Sequence, residues 1–447
     1  MTLDDDTAPT PADQASGTDV RRRRGPRLLV AVTCAVAFVI GTTLVIAGPD
    51  GDRDDHRGRI PTGVVERWRA VVDGSPVQGL AAGDGVVLVV IGYRKELVGL
   101  DATSGAQRWR TDLDRHHVIG MRVVDGVVLV HARTIGDNRQ LVAALDVHTG
   151  DWRWSRQFGP DQPITLTDAG IRSVEPSTEP RGATAVQWFD ARSGELATEI
   201  TGNLTVTLAA VQRTTGATVE LFDPDTHERV REIDLSAADI DGPVVAVPIA
   251  SRTVVAAGNE LVLLDGDRRV SSQLTLDRVV DPSERLALVP VDHSDDHVTV
   301  FRSGAADIIS TEGGRLERVW SGASYPDAVM MSDDGPVVAS TGSGGRTWEP
   351  PSTAFVHVRT GRTAVAESVD IRFGRPDSYR DGFLSIDAAR EAPRRMYARD
   401  LHGTSLWQRV VPQFADVHPL PDADAIVITD IDIATGDTSL TFLAATD

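Results

Sequence analysis

Short apolar runs with two-residue alternation follow one another along the chain from residue 64 onward. One example, "HVIGMRVVDGVVLVHARTIGDNRQLVAALDVHTGDWRWSRQF", contains four β-rich runs at His117–Val124, Val127–Ala132, Leu141–Leu145 and Trp152–Phe158. Asp-Gly and Thr-Gly pairs separate the first two runs and the last two, as tight hairpin turns require. After residue 60 no long stretch has the 3.6-residue apolar period of a helix. The pattern predicts an all-β chain built from four-stranded repeats, whose strands we name a, b, c and d.

The same repeat recurs at steps of about 45 residues, the length that β-propeller blades have. The phrase "LVGLDATSGAQRWRTDL" returns as "LVAALDVHTGDWRWSRQF", and weaker copies follow. Aligned on the aspartate, the copies place c–d junctions at Asp101, Asp146, Asp190, Asp223, Asp265, Ser310, His357, Asp400 and Ala444. We predict a β-propeller over residues 64–447 with eight blades, and seven and nine as alternatives. The short step from Asp190 to Asp223 lacks an obvious strand a.

The last copy ends at strand c, and its strand d is predicted to come from the other end of the chain. The run "VVERWRAVV" at Val64–Val72 is similar to the strand d sequence "AQRWRTDL". Pairing of this run with the last strand would close the ring and remove both exposed sheet edges.

Each residue of the repeated phrase has a predicted structural role. Asp101 accepts hydrogen bonds from the turn, Gly105 takes a positive φ, and Trp109 packs between neighbouring blades. The same roles are predicted for Asp146, Gly150, Trp154, Asp190 and Gly194. The repeated phrase is therefore interpreted as architecture and not as an active site.

The copies "LDATSGAQRW" and "LDVHTGDWRW" resemble the PQQ-like repeat, whose pattern is roughly A-x-D-x-x-T-G-x-x-x-W. Proteins with this repeat include quinoprotein dehydrogenases and the propeller lipoprotein of the outer-membrane barrel-assembly machine. The resemblance implies a propeller and leaves the function open. Its enzyme alternative is a dehydrogenase that binds PQQ with Ca²⁺ in the central channel, and a glycan-active propeller enzyme is a further alternative. Many quinoproteins also carry a disulfide of adjacent cysteines, which Cys34 alone cannot form.

The N-terminal region has the features of a membrane anchor. Leu28–Ala47 contains no charge, and its length as a helix matches the roughly 30 Å hydrocarbon core. Arginines precede it, so residues 1–27 are predicted to be a disordered cytoplasmic tail. Residues 48–63 would be a linker, and the propeller would lie outside the cell membrane. A cleaved signal peptide is the alternative.

Charge and loop length shape the functional prediction. The formal net charge of -20 argues against nucleic-acid binding. Three predicted b–c connections are long: Val174–Ala183, Ser340–Thr353 and Ile386–Arg395.

One of these connections contains the predicted interaction site. Trp348 lies there between glycines and a Pro-Pro pair, with Arg346 and Glu349 beside it. It is either an interface anchor or a plug for its own blade. We predict a monomeric scaffold without catalytic residues, metal or cofactor, which binds envelope proteins or polymers.

Overall fold

The computed structural model describes residues 60–446 with short gaps, and all strands reported below lie within that range. The gaps are 74–76, 93–95, 114–115, 135–138, 177–182, 208–209, 238–239, 241–243, 267–268, 278–279, 281–287, 292–293, 303–304, 323–325, 327, 333, 343–351, 367–381, 387–393, 413–414, 421–424, 433–434 and 436. The predicted tail, transmembrane helix and most of the linker lie outside the described residues. Within the described ranges, no helix has the length and hydrophobicity that crossing a membrane requires.

The described chain is almost entirely β-strand, with two short 3₁₀ turns at Leu235–Ala237 and Glu312–Gly314. The first strand is β1 (Val64–Val72). The first three repeats contain β2 (Gly79–Gly83), β3 (Val86–Ile91), β4 (Glu96–Asp101), β5 (Gln107–Asp112), β6 (His116–Val124), β7 (Val127–Thr134), β8 (Gln140–Asp146), β9 (Trp152–Phe158), β10 (Ile164–Thr167), β11 (Gly170–Pro176), β12 (Ala183–Asp190) and β13 (Leu196–Val206).

The remaining strands follow in the same order. Repeats four to six contain β14 (Val211–Thr215), β15 (Thr218–Phe222), β16 (Arg229–Asp234), β17 (Val244–Ile249), β18 (Arg252–Ala257), β19 (Glu260–Asp265), β20 (Arg269–Thr275), β21 (Leu288–Pro290), β22 (His297–Arg302), β23 (Ala305–Ser310) and β24 (Glu317–Gly322). Repeats seven to nine contain β25 (Ala328–Ser332), β26 (Gly335–Gly342), β27 (Ser352–His357), β28 (Thr363–Ala366), β29 (Gly382–Ile386), β30 (Arg394–Asp400), β31 (Ser405–Val411), β32 (Asp416–Leu420), β33 (Ala425–Ile431) and β34 (Thr438–Ala445).

Antiparallel pairing of consecutive strands makes the repeats into sheets, and the predicted β-propeller is confirmed. The described residues form eight hydrogen-bonded sheets, but one of these sheets contains both the third and the fourth repeat, so the repeats number nine. The number of sheets is the predicted eight, and the number of repeats is the alternative of nine. Six sheets have four strands, one has three (β29–β31), and one has seven (β10–β16). Strands b and c are buried on both faces between neighbouring blades, so β3 is a continuous run of Val, Leu and Ile. Strand d is the outer strand, and most residues of β9 are exposed.

Ring closure occurs as the sequence predicts. β1 pairs antiparallel with β34, from Val64 opposite Ala445 to Val72 opposite Thr438. The residues before β1 are also held in place, because Ile60 is buried in a cluster with Leu384 and Met396 of the eighth repeat. The ninth c–d junction is therefore formed by the two ends of the described chain.

The seven-stranded sheet explains the short step from Asp190 to Asp223. β13 pairs with β12, and its last residues, Leu204–Val206, also pair with β14. One continuous strand thus serves as strand d of the third repeat and as a short strand a of the fourth. The Gln212 amide on β14 joins the fourth repeat to the fifth: it donates to Val244 O at 2.8 Å and accepts from Ala246 N at 3.0 Å, both on β17.

Candidate functional site

The residues predicted to contact a partner, Arg346, Trp348 and Glu349, lie outside the described residues. The structure does show where their loop begins and ends. It connects β26 to β27, and the two other long insertions connect β11 to β12 and β29 to β30. Because strands alternate in direction, these three b–c connections lie at the same end of their blades, opposite the a–b and c–d turns.

The repeated aspartates are engaged in their own turns. Asp101 Oδ1 accepts from the N–H groups of Thr103 and Ser104 at 3.0 and 2.8 Å. Arg108 donates to Asp101 Oδ2 at 2.5 Å and, with Ser104, holds the pKa of Asp101 well below its usual range. A hydrogen bond from Arg153 likewise lowers the pKa of Asp146 to about 2.

The third repeated aspartate has no such arginine. The backbone and hydroxyl of Ser193 lower the pKa of Asp190. In all three turns the carboxylate is anionic and engaged, which suits a structural role.

The tryptophans of strand d bind the next repeat. In each repeat, one strand d residue pairs with the strand c residue that lies two positions before the c–d junction. We call this strand d residue the docking position. The indole Nε1 there donates to the carbonyl just after the next junction in three cases: Trp68 to Ala102 at 2.8 Å, Trp109 to Val147 at 2.9 Å and Trp154 to Ala191 at 3.1 Å. At the ninth junction, which the two chain ends form, Trp407 instead donates to the carbonyl of Pro61, just before β1, at 2.7 Å. Each bond joins two neighbouring repeats.

The turn glycines are needed for two reasons. Gly105 and Gly150 have φ values of 71° and 73°, which side chains other than glycine rarely adopt. A Cβ on Gly105 would also lie 2.5 Å from the Trp68 ring, and one on Gly150 2.6 Å from the Trp109 ring. Gly194 has the same relation to Trp154 at 2.7 Å. Each of these turn glycines thus lies against the indole of the previous repeat.

In the third repeat, the indole that contacts the next repeat lies on strand c and not on strand d. The docking position of this repeat is Thr198, which faces Trp188 on strand c. Trp188 Nε1 donates to Pro224 O at 2.9 Å, which is the carbonyl after the next junction. In the first repeat the arrangement is reversed, with Trp109 on strand d facing Gly99 on strand c. Sequence reasoning missed this exchange, although the pairing of Trp188 with a small residue was a signal for it.

The other junctions use polar side chains. Arg231, at the docking position of the fourth repeat, donates to Ala250 O at 3.0 Å. Arg252 of the fifth repeat donates to Thr311 O at 2.8 Å, and the Leu316 N–H donates to Ser272 Oγ at 3.0 Å. His357 Nε2 lies 3.1 Å from Leu401 O, the carbonyl after the eighth junction.

Two described groups of titratable side chains lie away from the turns. Arg302 and Asp307 form a buried ion pair at 2.6 Å between strands of the sixth repeat, and burial lowers the pKa of His418 to about 4. Neither arrangement pairs a nucleophile with a base. Within the described part of the chain, no three His, Cys, Asp or Glu side chains are grouped so as to hold a metal ion.

Part of the propeller matches a known protein family. Residues 61–219 match the family described as "Outer membrane protein assembly factor BamB". The structure is a β-propeller, and its PQQ-like repeat is confirmed over those residues. Among curated proteins, no sequence relative matches the chain.

Solved structures of several kinds are similar at low identity. BamB from Moraxella catarrhalis is 14% identical, with 86% of this chain and 98% of that chain covered and a TM-score of 0.37. Quinohemoprotein alcohol dehydrogenase from Comamonas testosteroni is 11% identical, with 87% and 78% covered and a TM-score of 0.38. The computationally designed Ika8 protein is 14% identical, with 84% and 99% covered and a TM-score of 0.37. The assignment of the fold rests on the strand pairing described above.

Proposed function

We propose that the propeller is a non-catalytic scaffold that binds or assembles envelope proteins or polymers. The observation that carries the proposal is the use of the repeated polar residues. The carboxylates of Asp101, Asp146 and Asp190 are engaged within their turns, and the strand d indoles join neighbouring repeats. Partner recognition would then depend on the connections that do not repeat, as on other rigid scaffolds. The family match to an assembly factor over residues 61–219 supports a binding role.

The proposed interaction site is the b–c connection of the seventh repeat, with Trp348 as its anchor and Arg346 and Glu349 beside it. An aromatic residue in a long loop is the type of side chain that dominates protein interfaces. The loop begins after β26 and ends at β27, two paired strands that give it a fixed base.

The test is chemical crosslinking in intact cells, followed by capture of the full chain from solubilised membranes. Trp348→Ala should lose a partner that the unmodified chain captures. Trp152→Ala is the matched control, because Trp152 is also a large exposed residue (45%) but lies on the outer strand β9. Equal capture by both variants would remove Trp348 from the interface. Dye-linked substrate oxidation after addition of PQQ and Ca²⁺ would instead favour the enzyme alternative.

We further propose that Leu28–Ala47 anchors the chain in the cell membrane, with residues 1–27 in the cytoplasm and the propeller outside. The uncharged length of this segment supports the proposal. Deletion of residues 28–47 should move the protein from the membrane fraction to the soluble fraction. A membrane-bound deletion variant would contradict the anchor.

A further inference from the structure

The c–d turn of the seventh repeat, His357–Gly361, has the backbone of the turns that receive an indole. His357 N donates to Arg362 O at 2.9 Å and Gly361 N to His357 O at 2.8 Å. The corresponding bonds at Asp101 are both 2.8 Å. The φ of Gly361 is 65°, close to the 71° of Gly105. The turn is therefore built like the turns that bind Trp68, Trp109 and Trp154.

No indole of the described chain lies on this turn. A Cβ built on Gly361 would meet no atom of the described residues within 4 Å, although at the equivalent glycines it would lie 2.5–2.7 Å from an indole. The preceding docking residue, Trp320, lies back over Gly322 of its own strand, where a Cβ would be 2.2 Å from its ring. It packs against Val289, Phe301 and Ala306 of its own repeat. It also packs against a cluster of Val291, Ile308 and Val338, in which Val338 belongs to the seventh repeat, but it does not cover Gly361. Its indole has no hydrogen-bond partner among the described residues.

The surroundings of the turn are basic. Arg359 and Arg362 are exposed on either side of Gly361, and neither has an ion-pair partner within the described part of the chain. The carbonyl of Val358 has the same position in the turn as the carbonyl of Ala102, which accepts the Trp68 indole N–H. The turn thus offers a glycine surface, a hydrogen-bond acceptor and two positive charges.

We propose that the seventh-repeat turn, His357–Gly361, binds a tryptophan side chain of a partner protein, and that acidic residues flank this tryptophan. The chain itself shows the chemistry at other junctions, where an indole covers the turn and donates its N–H to the first carbonyl. A buried aromatic ring with one polar group is also a common anchor of protein interfaces. The two arginines attract carboxylates next to the ring. The proposal rests on the proposed binding function and adds the chemistry of one partner.

The test uses the full chain and a five-residue peptide, Gly-Asp-Trp-Glu-Gly-amide, whose N-terminal amine carries a photoreactive acyl group. We expect saturable binding, with crosslinks confined to residues 357–362. Replacing Trp by Phe, or both acidic residues by Arg, should weaken peptide binding at least tenfold. Raising the salt concentration should reduce the difference between the acidic and basic peptides.

Gly361→Asn should weaken binding at least tenfold, because Asn tolerates a positive φ but fills the surface. Gly216→Asn is the matched control: Gly216 has a φ of 62° and open space around it, in the turn between β14 and β15. Equal binding by both variants, or crosslinks elsewhere, would overturn the proposal. A tenfold gain in Trp320→Leu would also overturn it, since Trp320 would then be the occupant of the turn in solution. None of these outcomes affects the Trp348 capture experiment, which tests the proposed function at the opposite end of the blade.

Discussion

Two arcs of the ring are held together differently. The first arc runs from the eighth repeat through the ninth, first, second and third to the fourth, and we call it the indole arc. Each of its five successive junctions has an indole that donates a hydrogen bond to the next repeat. From the fourth repeat to the eighth, the described junction contacts include hydrogen bonds from the polar side chains of Arg231, Arg252 and His357. The Trp320 indole lies over Gly322 of its own strand and makes no described hydrogen bond to the next repeat. The family match at residues 61–219 lies in the indole arc. The comparison shows that the strand pattern specifies the blade, whereas the Trp and Gly pair specifies how blades are joined.

The largest difference between the arcs should appear when their tryptophans are removed. Trp109 is 7% exposed and bonded to Val147 O, so Trp109→Ala should lower the free energy of unfolding by about 3–5 kcal/mol. Trp320 is only half-buried and has no bond to the next repeat, so Trp320→Ala should cost about 1–2 kcal/mol. Urea denaturation of both variants checks this. Equal losses would contradict the distinction between the arcs.

Low pH should destabilise the ninth repeat, which contains His418 on β32. Burial lowers the pKa of His418, on β32, to about 4, whereas an exposed histidine titrates near 6.5. The unfolded chain therefore binds a proton between pH 6.5 and 4 that the native protein does not. Stability should fall by about 3 kcal/mol over that range as the pH decreases. His418→Gln should remove this part of the pH dependence, and an unchanged pH profile would show that His418 does not cause it.

Valine at a turn glycine should separate backbone strain from indole contact. Gly105→Val and Gly361→Val both force a β-branched residue into a positive φ, at similar cost. Only the first collides with an indole, that of Trp68, so it should be less stable than Gly361→Val by about 1–3 kcal/mol. Thermal denaturation of the pair gives the difference. The comparison would fail if Gly361→Val were the less stable variant.

The exchange in the third repeat should be reversible by mutation. Trp188→Gly removes a buried indole and its bond to Pro224 O. Adding Thr198→Trp rebuilds the arrangement of the first repeat, so the double variant should recover about 1–2 kcal/mol relative to Trp188→Gly alone. A double-mutant cycle in urea measures this coupling energy. Additive losses would mean that an indole on strand d cannot reach the Pro224 carbonyl.

Much of the fold could be predicted because local sequence patterns specify the repeat. The alternating runs and the Asp–Gly turns predict strands and junctions, and all nine predicted c–d positions lie within one residue of a strand end. The closure by Val64–Val72 follows from its resemblance to other d strands. The fused sheet was not predicted in form, because the continuity of β13 depends on Leu204 pairing with both Ala183 and Arg213 and not on residue type.

The junction contacts were harder to predict than the strands. Trp320 has the same residue type as Trp109 and a comparable strand position, yet it turns the other way because Gly322 leaves space for its ring in its own strand. His357 and Arg252 substitute for tryptophan through contacts between different repeats, which have no local sequence signature. The predicted loop site of Arg346, Trp348 and Glu349 lies outside the described residues and stays a prediction.

The pairing of β1 with β34 sets the order in which the molecule can be completed. β1 is synthesised first among the strands, yet its partner is the last one, and the Trp407 bond to Pro61 spans 346 residues. During synthesis β1 must remain unpaired until nearly the whole chain has emerged, exposing a strand edge for that time. Closing so long a loop also makes ring completion a late and slow folding event. Loss of the last eight residues would therefore leave the strands of all the remaining blades intact and still prevent the ring from closing.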